Sequence, residues 1–437
     1  MSRTLKTLAF LSVATLLSVA CERTPPARPN VVLIVIDTQR AQNLSLYGYE
    51  RDTSPEFTRF AHEALTFELA TAPGTWTVPT HASLFTGRWP SFHGAERVGV
   101  DGLVARPMNP EIPTLAELLQ RDGYTTAAFV ANVTYLSPLF GFQRGFDQFT
   151  NDLDWPRADH VATAVNDWLE SQQAPFFLFV NLLDPHEPYE PPEPFDTRFD
   201  GKNPEHGTMM TEKMHARVRF TDEMRAHFVS QYDGETAFTD QALGTILDTL
   251  RARPDYGNSV VIVTSDHGEM LGEHQLAGHV VEPYEPELHV PLVAKLAGGR
   301  RAGERVEDRV STMGVFATIL DAVGIPLPEG TQAVRLTEPH PVFAEDVTAR
   351  GRRVRVAYRG DHKLVSSTPL GSPETTRLFH LAADPGEDRP VVDGSGATRL
   401  REELAAFTRA PRPENDTALP TIDADRERKL RALGYVR

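Results

Sequence analysis

Four short, almost uninterrupted apolar runs punctuate the chain: Val31–Ile36, Tyr124–Val130, Phe176–Leu183 and Ser259–Thr264. Runs of this length, rich in β-branched and aromatic residues, predict strands covered on both faces. Between them the apolar positions take a helical period. Val161, Val165, Trp168 and Leu169 form one stripe, which puts Trp168 in the core. Phe238, Leu243, Ile246, Leu247 and Leu250 form another within a helix expected over Tyr232–Leu250. Thr114 with Glu117 three residues on is a capping box, and Gly123 closes the helix it opens. Val290–Leu296 reads as a further strand. Past Pro339 the pattern changes. Val354–Tyr358 alternates in strand fashion, Lys363–Ser366 and Arg377–Ala382 are candidates to pair with it, and Ala397–Phe407 reads as a helix. Two stretches lack periodicity. Glu190–Glu223, long and polar, is expected to border an entrance, and the polar tail Pro411–Asp425 to be loosely ordered before a short helix near Leu430.

Chemistry gathers where these strands stop. Three of them run into aspartate: Asp37, Asp184 and Asp266. The carboxyl ends of parallel strands are where open α/β sheets build their sites. Asp266 is followed by His267, a hard oxygen beside a borderline nitrogen, suited to Zn²⁺, Mn²⁺ or Ca²⁺. The other centre of interest is Thr75–Gly87. Pro79 suits a first helical turn, so Thr77 falls at or just before a helix N-terminus, among free N–H groups and the positive end of the dipole. A hydroxyl there, with a metal beside it, could attack a tetrahedral anion.

Composition narrows the partners. With 437 residues, 40% hydrophobic and 24% charged, the chain is a globular protein with room for a large core. Its formal net charge of −16 argues against nucleic acid or an anionic membrane surface as partner. An anionic substrate must then be drawn in by a local metal or basic site. Residues 1–21 read as processing: Arg3 and Lys6 precede the uncharged Leu8–Ala20, too short to span a bilayer but suited to a signal peptide. Cys21 follows at once and is the single cysteine, so no internal disulfide forms. Glu22–Pro29, with three prolines, reads as a tether.

These residues carry a family resemblance. Thr77-x-Pro79 leading to Leu84-Phe85-Thr86-Gly87 resembles the sulfatase motif of the alkaline phosphatase superfamily, with Thr77 where sulfatases carry the formylglycine-forming Cys or Ser and His81 where they carry Arg. Ser265-Asp266-His267-Gly268 resembles a superfamily element, and His186-x-Pro-Tyr a sulfatase histidine near the transferred group. His279 lies where sulfatases place a lysine and phosphoethanolamine transferases a histidine, while His274 reads as structural. Two departures stand out. Thr38 replaces a second acid after the first strand, and Val130-Ala131-Asn132 replaces a Gly-Lys pair that would contact sulfate. Cys21 resembles the lipidated cysteine of a bacterial lipoprotein signal.

The resemblance implies an alkaline-phosphatase-like α/β fold: a large, mostly parallel sheet flanked by helices, plus a small C-terminal antiparallel sheet with a helix. The expected divisions are signal peptide 1–21, tether 22–29, catalytic domain 30–338 and C-terminal subdomain 339–437. It implies one divalent ion on Asp37, Thr77, Asp266 and His267, with a second ion left open. Catalytic roles fall to Thr77, His186 and His279, and substrate contacts to His81 and Asn132. The expected partners are an anionic ester and, through Cys21, the membrane of a bacterial cell envelope; the oligomeric state is open. Threonine cannot be oxidised to an aldehyde, so the sulfatase route of expelling sulfate is closed to Thr77. A phosphoryl-threonine ester meets no such difficulty. The expectation is a metal-dependent hydrolase of a phosphodiester or phosphonate ester. A sulfuric ester hydrolase, a phospho-group transferase and a catalytically weak anion-binding lipoprotein stand as alternatives.

Overall fold

The computed structural model describes residues 28–98, 105–152, 157–173, 175–207, 219–280, 282–348, 351–369, 371–391 and 395–421, together with Arg428. The signal peptide, Cys21, most of the tether and the helix expected near Leu430 lie outside the described residues. No helix among them is long and apolar enough to cross a membrane.

An eight-stranded sheet organises the chain. In sequence its strands are β1 (Val31–Ile36), β2 (Leu65–Phe67), β3 (Thr125–Val130), β4 (Gln148–Thr150), β5 (Phe176–Leu182), β6 (Val260–Ser265), β7 (Leu292–Lys295) and β8 (Arg305–Val306), and in space they run β8-β2-β7-β6-β1-β5-β3-β4. From β6 to β4 the pairing is parallel, and β7 turns antiparallel. Every residue of β1 is buried. Its alternate residues serve two cores. Val31, Leu33 and Val35 face a layer with Trp76, Phe85 and Phe316, while Val32, Ile34 and Ile36 face one with Val161, Trp168, Leu243 and Ile246. This is why the strand reads as a solid apolar run.

The helices follow their sequence signals. α1 (Pro55–Ala61) has Pro at its start, and its N–H groups at Glu56 and Phe57 donate to the Asp240 carboxylate at 2.8 and 2.8 Å. α2 (Thr77–Thr86) ends on left-handed Gly87, and α3 (Leu115–Arg121) carries the Thr114–Glu117 capping box in both directions. α4 (Ala158–Ser171) buries Trp168. The long helix α5 (Asp222–Ala252) begins ten residues before the expected Tyr232. Its first half packs Met224, Phe228 and Tyr232 against Tyr189, Phe220 and Leu271, and buries polar residues beside them: His227 Nε2 donates to Gly207 O at 2.7 Å, and Asp233 accepts from Asn43, Tyr49 and Arg51. α6 (Gly314–Val323) completes the layer that carries α2.

A second sheet, antiparallel, has the order β9 (Val342–Val347), β10 (Arg353–Arg359), β11 (His362–Thr368) and β12 (Thr375–His380), covered by α7 (Ser395–Arg409). It holds one more strand than expected, because β9 carries Glu345 and Asp346 on buried positions. The tail is tied down instead of loose as far as it is described: Arg106 and Asn109 donate to Thr417 O and Glu414 O, and Asn415 donates to Pro107 O.

Candidate active site

The register of the parallel strands sets the site. Ile36 of β1 lies opposite Leu182 of β5 and Ser265 of β6, so the next residues leave the sheet together at its carboxyl edge. Asp37 and Asp266 thereby come within reach although 229 positions separate them. Thr38 takes a left-handed conformation (φ 55°), costly for a β-branched residue, which aims its N–H at Asp266 Oδ1 (3.2 Å). Its carbonyl accepts the Tyr232 hydroxyl at 2.8 Å. Gly268 is needed for a different reason. A Cβ there would lie 2.0 Å from the Pro286 carbonyl oxygen, so only glycine lets the Asp266–Glu269 turn pack down.

Asp37, Asp266 and His267 each offer a ligand atom within 4.8 Å of the others, and all three are fully buried. His267 Nδ1 is 2.9 Å from the Gly268 carbonyl. A carbonyl only accepts, so Nδ1 bears the hydrogen and Nε2 presents a lone pair. That lone pair sits 3.3 Å from Asp266 Oδ2, 4.0 Å from Asp37 Oδ1 and 3.4 Å from Thr77 Oγ1. Neither Asp37 Oδ1 nor Asp266 Oδ2 has a hydrogen-bond partner among the described residues. Three acceptor atoms and the Thr77 hydroxyl thus converge in a buried pocket, and the mixed oxygen and nitrogen set fits a divalent metal. The electrostatics agree. Burial pushes Asp37 up to about 7, pushes Asp266 well up with Asp37's charge adding to it, and pushes His267 well down.

Thr77 is the first residue of α2, so its hydroxyl stands at the positive end of that helix. His81, one turn on, places Nδ1 2.9 Å from the Thr77 carbonyl and 3.4 Å from Asp266 Oδ2. Its Nε2 is buried without a partner, and burial lowers its pKa to about 3, which keeps the ring neutral. His186 and His279 lie on the same side, with ring centroids 5.1 Å apart, and His279 is 4.7 Å from His267. Both rings are pushed down to about 3 by burial, with His279 adding to the effect on His186. Asn132 stands behind Asp37. Its amide donates to Asp37 Oδ2 at 2.9 Å, its oxygen accepts from Tyr135 N at 3.2 Å, and its own N–H is held by Asn181 Oδ1 at 2.8 Å. His274 lies apart, stacked 4.1 Å from the Tyr284 ring and donating to Gly386 O. Asp184 also stays out of the metal group and caps α4 through Ala158 N (2.9 Å).

Two participants escaped the sequence reading. Glu269 Oε1 lies 2.9 Å from His279 Nδ1, and its burial raises it to about 8. Asn181, inside β5, fixes the backbone at Asn132. Glu269 stands inside the Ser-Asp-His-Gly-Glu turn, a usable signal; a lone Asn in an apolar strand gives a fainter one.

Comparison with known proteins places this constellation. The sulfatase family profile matches residues 29–325, more than half of the chain. An ulvan-active sulfatase of Formosa agariphila is 24% identical over 350 residues, covering 72% of this chain and 65% of that protein. Arylsulfatase K of Canis lupus familiaris is 24% identical over 372 residues, covering 71% and 66%. The chain thus spans just under two thirds of the length of these relatives. In three dimensions a phosphonate monoester hydrolase of Agrobacterium radiobacter superposes with a TM-score of 0.71 at 21% identity, over 87% of this chain and 95% of that one. The chain therefore belongs to the sulfatase family, the match running from residue 29 to residue 325.

Proposed function

We propose that the protein hydrolyses an anionic ester through a covalent intermediate on Thr77, with a phosphodiester or phosphonate ester as the substrate class. One observation carries this reading: Thr77 Oγ1 heads a helix 3.4 Å from the neutral imidazole nitrogen of His267, beside two carboxylates that each keep one oxygen without a hydrogen-bond partner among the described residues. Asp37, Asp266, His267 and Thr77 would hold a divalent ion, which would supply Lewis-acid polarisation there and lower the pKa of the hydroxyl. Calcium, manganese and zinc all suit the donor set.

The chain's own residues do the rest. Thr77 Oγ loses its proton to solvent and bonds to phosphorus, while the bond from phosphorus to the alcohol oxygen breaks. The helix N-terminus stabilises charge on the transferring group. His186 and His279, neutral in their buried setting, gain proton affinity when an anion arrives beside them. They hand the proton to the departing oxygen. Water then cleaves the Thr77 ester and restores the hydroxyl. Asn132 and Glu269 orient Asp37 and His279. The threonine side chain favours phosphorus over sulfur, since no aldehyde can form at a Cβ that bears a methyl group. The sulfatase relatives support a sulfate ester as second reading, and the phosphonate monoester hydrolase fold match supports the first.

The test presents one aryl alcohol as sulfate, phosphomonoester, phosphodiester and phosphonate monoester to metal-loaded wild type and to Thr77→Ala. Phosphorus-ester turnover that falls by about 10⁴ in Thr77→Ala is expected. Sulfate turnover that survives Thr77→Ala would remove Thr77 from the mechanism. Export and lipid anchoring at Cys21 complete the proposal, on the strength of Arg3, Lys6 and the apolar Leu8–Ala20. Cys21→Ser is expected to move the protein from the membrane to the soluble envelope fraction; an unchanged distribution rejects the anchor.

A further inference from the structure

A cleft of about 610 Å³ lies between the segment that follows Gly94 and one end of the C-terminal sheet. Arg97, Arg106, Arg353 and Arg355 line it together with Thr368, and Glu96 is the one carboxylate among its described lining residues. Glu96 is already matched, since Arg353 reaches it with two nitrogens at 2.6 and 3.3 Å. Arg106 spends Nη1 on the Thr417 carbonyl (2.7 Å) and forms no ion pair with a described residue. Arg355 Nε stands 3.5 Å from the buried Glu345. Behind the wall Arg412 adds a fifth guanidinium, and Asp346 stands near Arg97. Five guanidiniums therefore meet three carboxylates (Glu96, Glu345, Asp346), and burial pushes both Glu345 and Asp346 towards their neutral forms. In a chain of net charge −16 this is a local reversal of sign.

The cleft wall is also wired to the active site. Asp346 Oδ2 accepts from Thr75 N at 3.1 Å and Thr75 Oγ1 at 2.9 Å, and Glu345 N donates to Pro73 O at 3.0 Å. Thr75 and Thr77 are two residues apart, at most about 7 Å along the backbone. Val347, next to Asp346, lines the cleft. Three hydrogen bonds therefore join the strand that walls the cleft to the segment that leads into Thr77.

We infer that this cleft binds a second oxyanion (sulfate, phosphate or carboxylate) of an extended substrate whose scissile ester lies at Thr77. The inference rests on the ester-hydrolase reading of the site. Guanidinium forks match such oxyanions with paired hydrogen bonds, and the enclosing walls reduce screening by salt.

Two readouts separate the cleft from the chemistry. In the first, inorganic sulfate is titrated calorimetrically into the metal-loaded Thr77→Ala chain, with and without Arg106→Gln and Arg355→Gln together. The expected result is binding that weakens about tenfold or more in the double variant. Equal binding in both proteins, or none in the Arg-containing chain, overturns the inference. In the second, two aryl esters are compared, one plain and one carrying a sulfonate on a flexible alkyl arm. The double variant should raise KM for the sulfonated ester about tenfold and leave the plain ester unchanged. Equal losses on both esters, with a preserved melting temperature, also overturn it. Should wild type turn over neither ester while sulfate still binds in an arginine-dependent way, the hydrolase reading fails and the anion site stands.

Discussion

Two of the molecule's clusters of buried charge solve the same problem in opposite ways. At the junction with the C-terminal sheet, Lys363 Nζ lies 3.1 Å from Glu285 and 2.7 Å from Glu387, while Arg309 reaches Glu285 at 3.1 Å. The Tyr358 hydroxyl donates to Glu285 at 2.7 Å. Two acids meet two bases, every charge has a counter-charge, and Glu285 is held far below the usual carboxylate range by Arg309 and Lys363 against the pull of burial. At the sheet's carboxyl edge, Asp37 and Asp266 meet neutral groups among the described residues (histidines, a hydroxyl, the Asn132 amide and backbone N–H), and burial drives both acids upward. The first cluster is complete within the chain; the second offers a place for a cation from outside. A buried acid without a base in the family's site is thus a statement about a ligand, whereas a buried acid with one is a statement about architecture.

Breaking one member of each cluster should separate them. Asp266→Ala is expected to reduce turnover by at least about 10³ and to abolish binding of Mn²⁺ measured by calorimetry, while leaving the melting temperature of the metal-free chain unchanged or higher. A metal-free chain that unfolds far earlier would show that Asp266 is structural after all. Lys363→Met should do the reverse. It leaves two buried acids short of a base and is expected to cost about 3–5 kcal/mol in denaturant unfolding. The specific activity of the fraction that remains folded should stay near wild type. The smallest effect is in pH. Asp37, pushed up to about 7, contributes stability that is fully present below its unfolded value near 4 and is lost as pH rises through about 7. Glu285, held low, contributes stability present above about 4.3 and lost as pH falls. The site histidines His81, His186, His267 and His279, pushed down by burial, act the other way over the same range, so the Asp37 contribution is read by difference. Between about pH 5 and 7 the metal-free wild type should lose a few degrees of melting temperature relative to metal-free Asp37→Asn. Parallel curves for the two proteins would remove Asp37 from the pH dependence.

Much of this was readable in the chain, for identifiable reasons. Solid apolar runs marked the central strands because both faces of β1 and β5 are covered. Asp37 and Asp266 stood out because each ends such a run, and Thr114 with Glu117 because a capping box is local in sequence. What stayed hidden depends on distant partners. β9 reads as polar because Glu345 and Asp346 are buried against Ser91 and Thr75, contacts 254 and 271 residues away. The first half of α5 was hidden because its apolar stripe, Met224, Phe228 and Tyr232, is interleaved with buried polar residues such as Asp233, which accepts from Tyr49. The tail read as free because Asn415 finds Pro107 O only in three dimensions. Asn132, expected to meet substrate, turns its amide on Asp37 instead, a choice set by the adjacent strand through Asn181.

The pairing of β1 also dictates when the site can come into being. This first strand has no partner near it in sequence: Val31 pairs with Phe177 on one side and Val260 on the other. Synthesis from the N-terminus therefore delivers Asp37 and Thr77 long before Asp266 and His267 exist. Closing the central strands spans most of the chain, the kind of non-local assembly that slows folding. The Asp37–Asp266–His267 cluster is consequently assembled only after β6 has been made, and no nascent fragment that stops at β6 carries it.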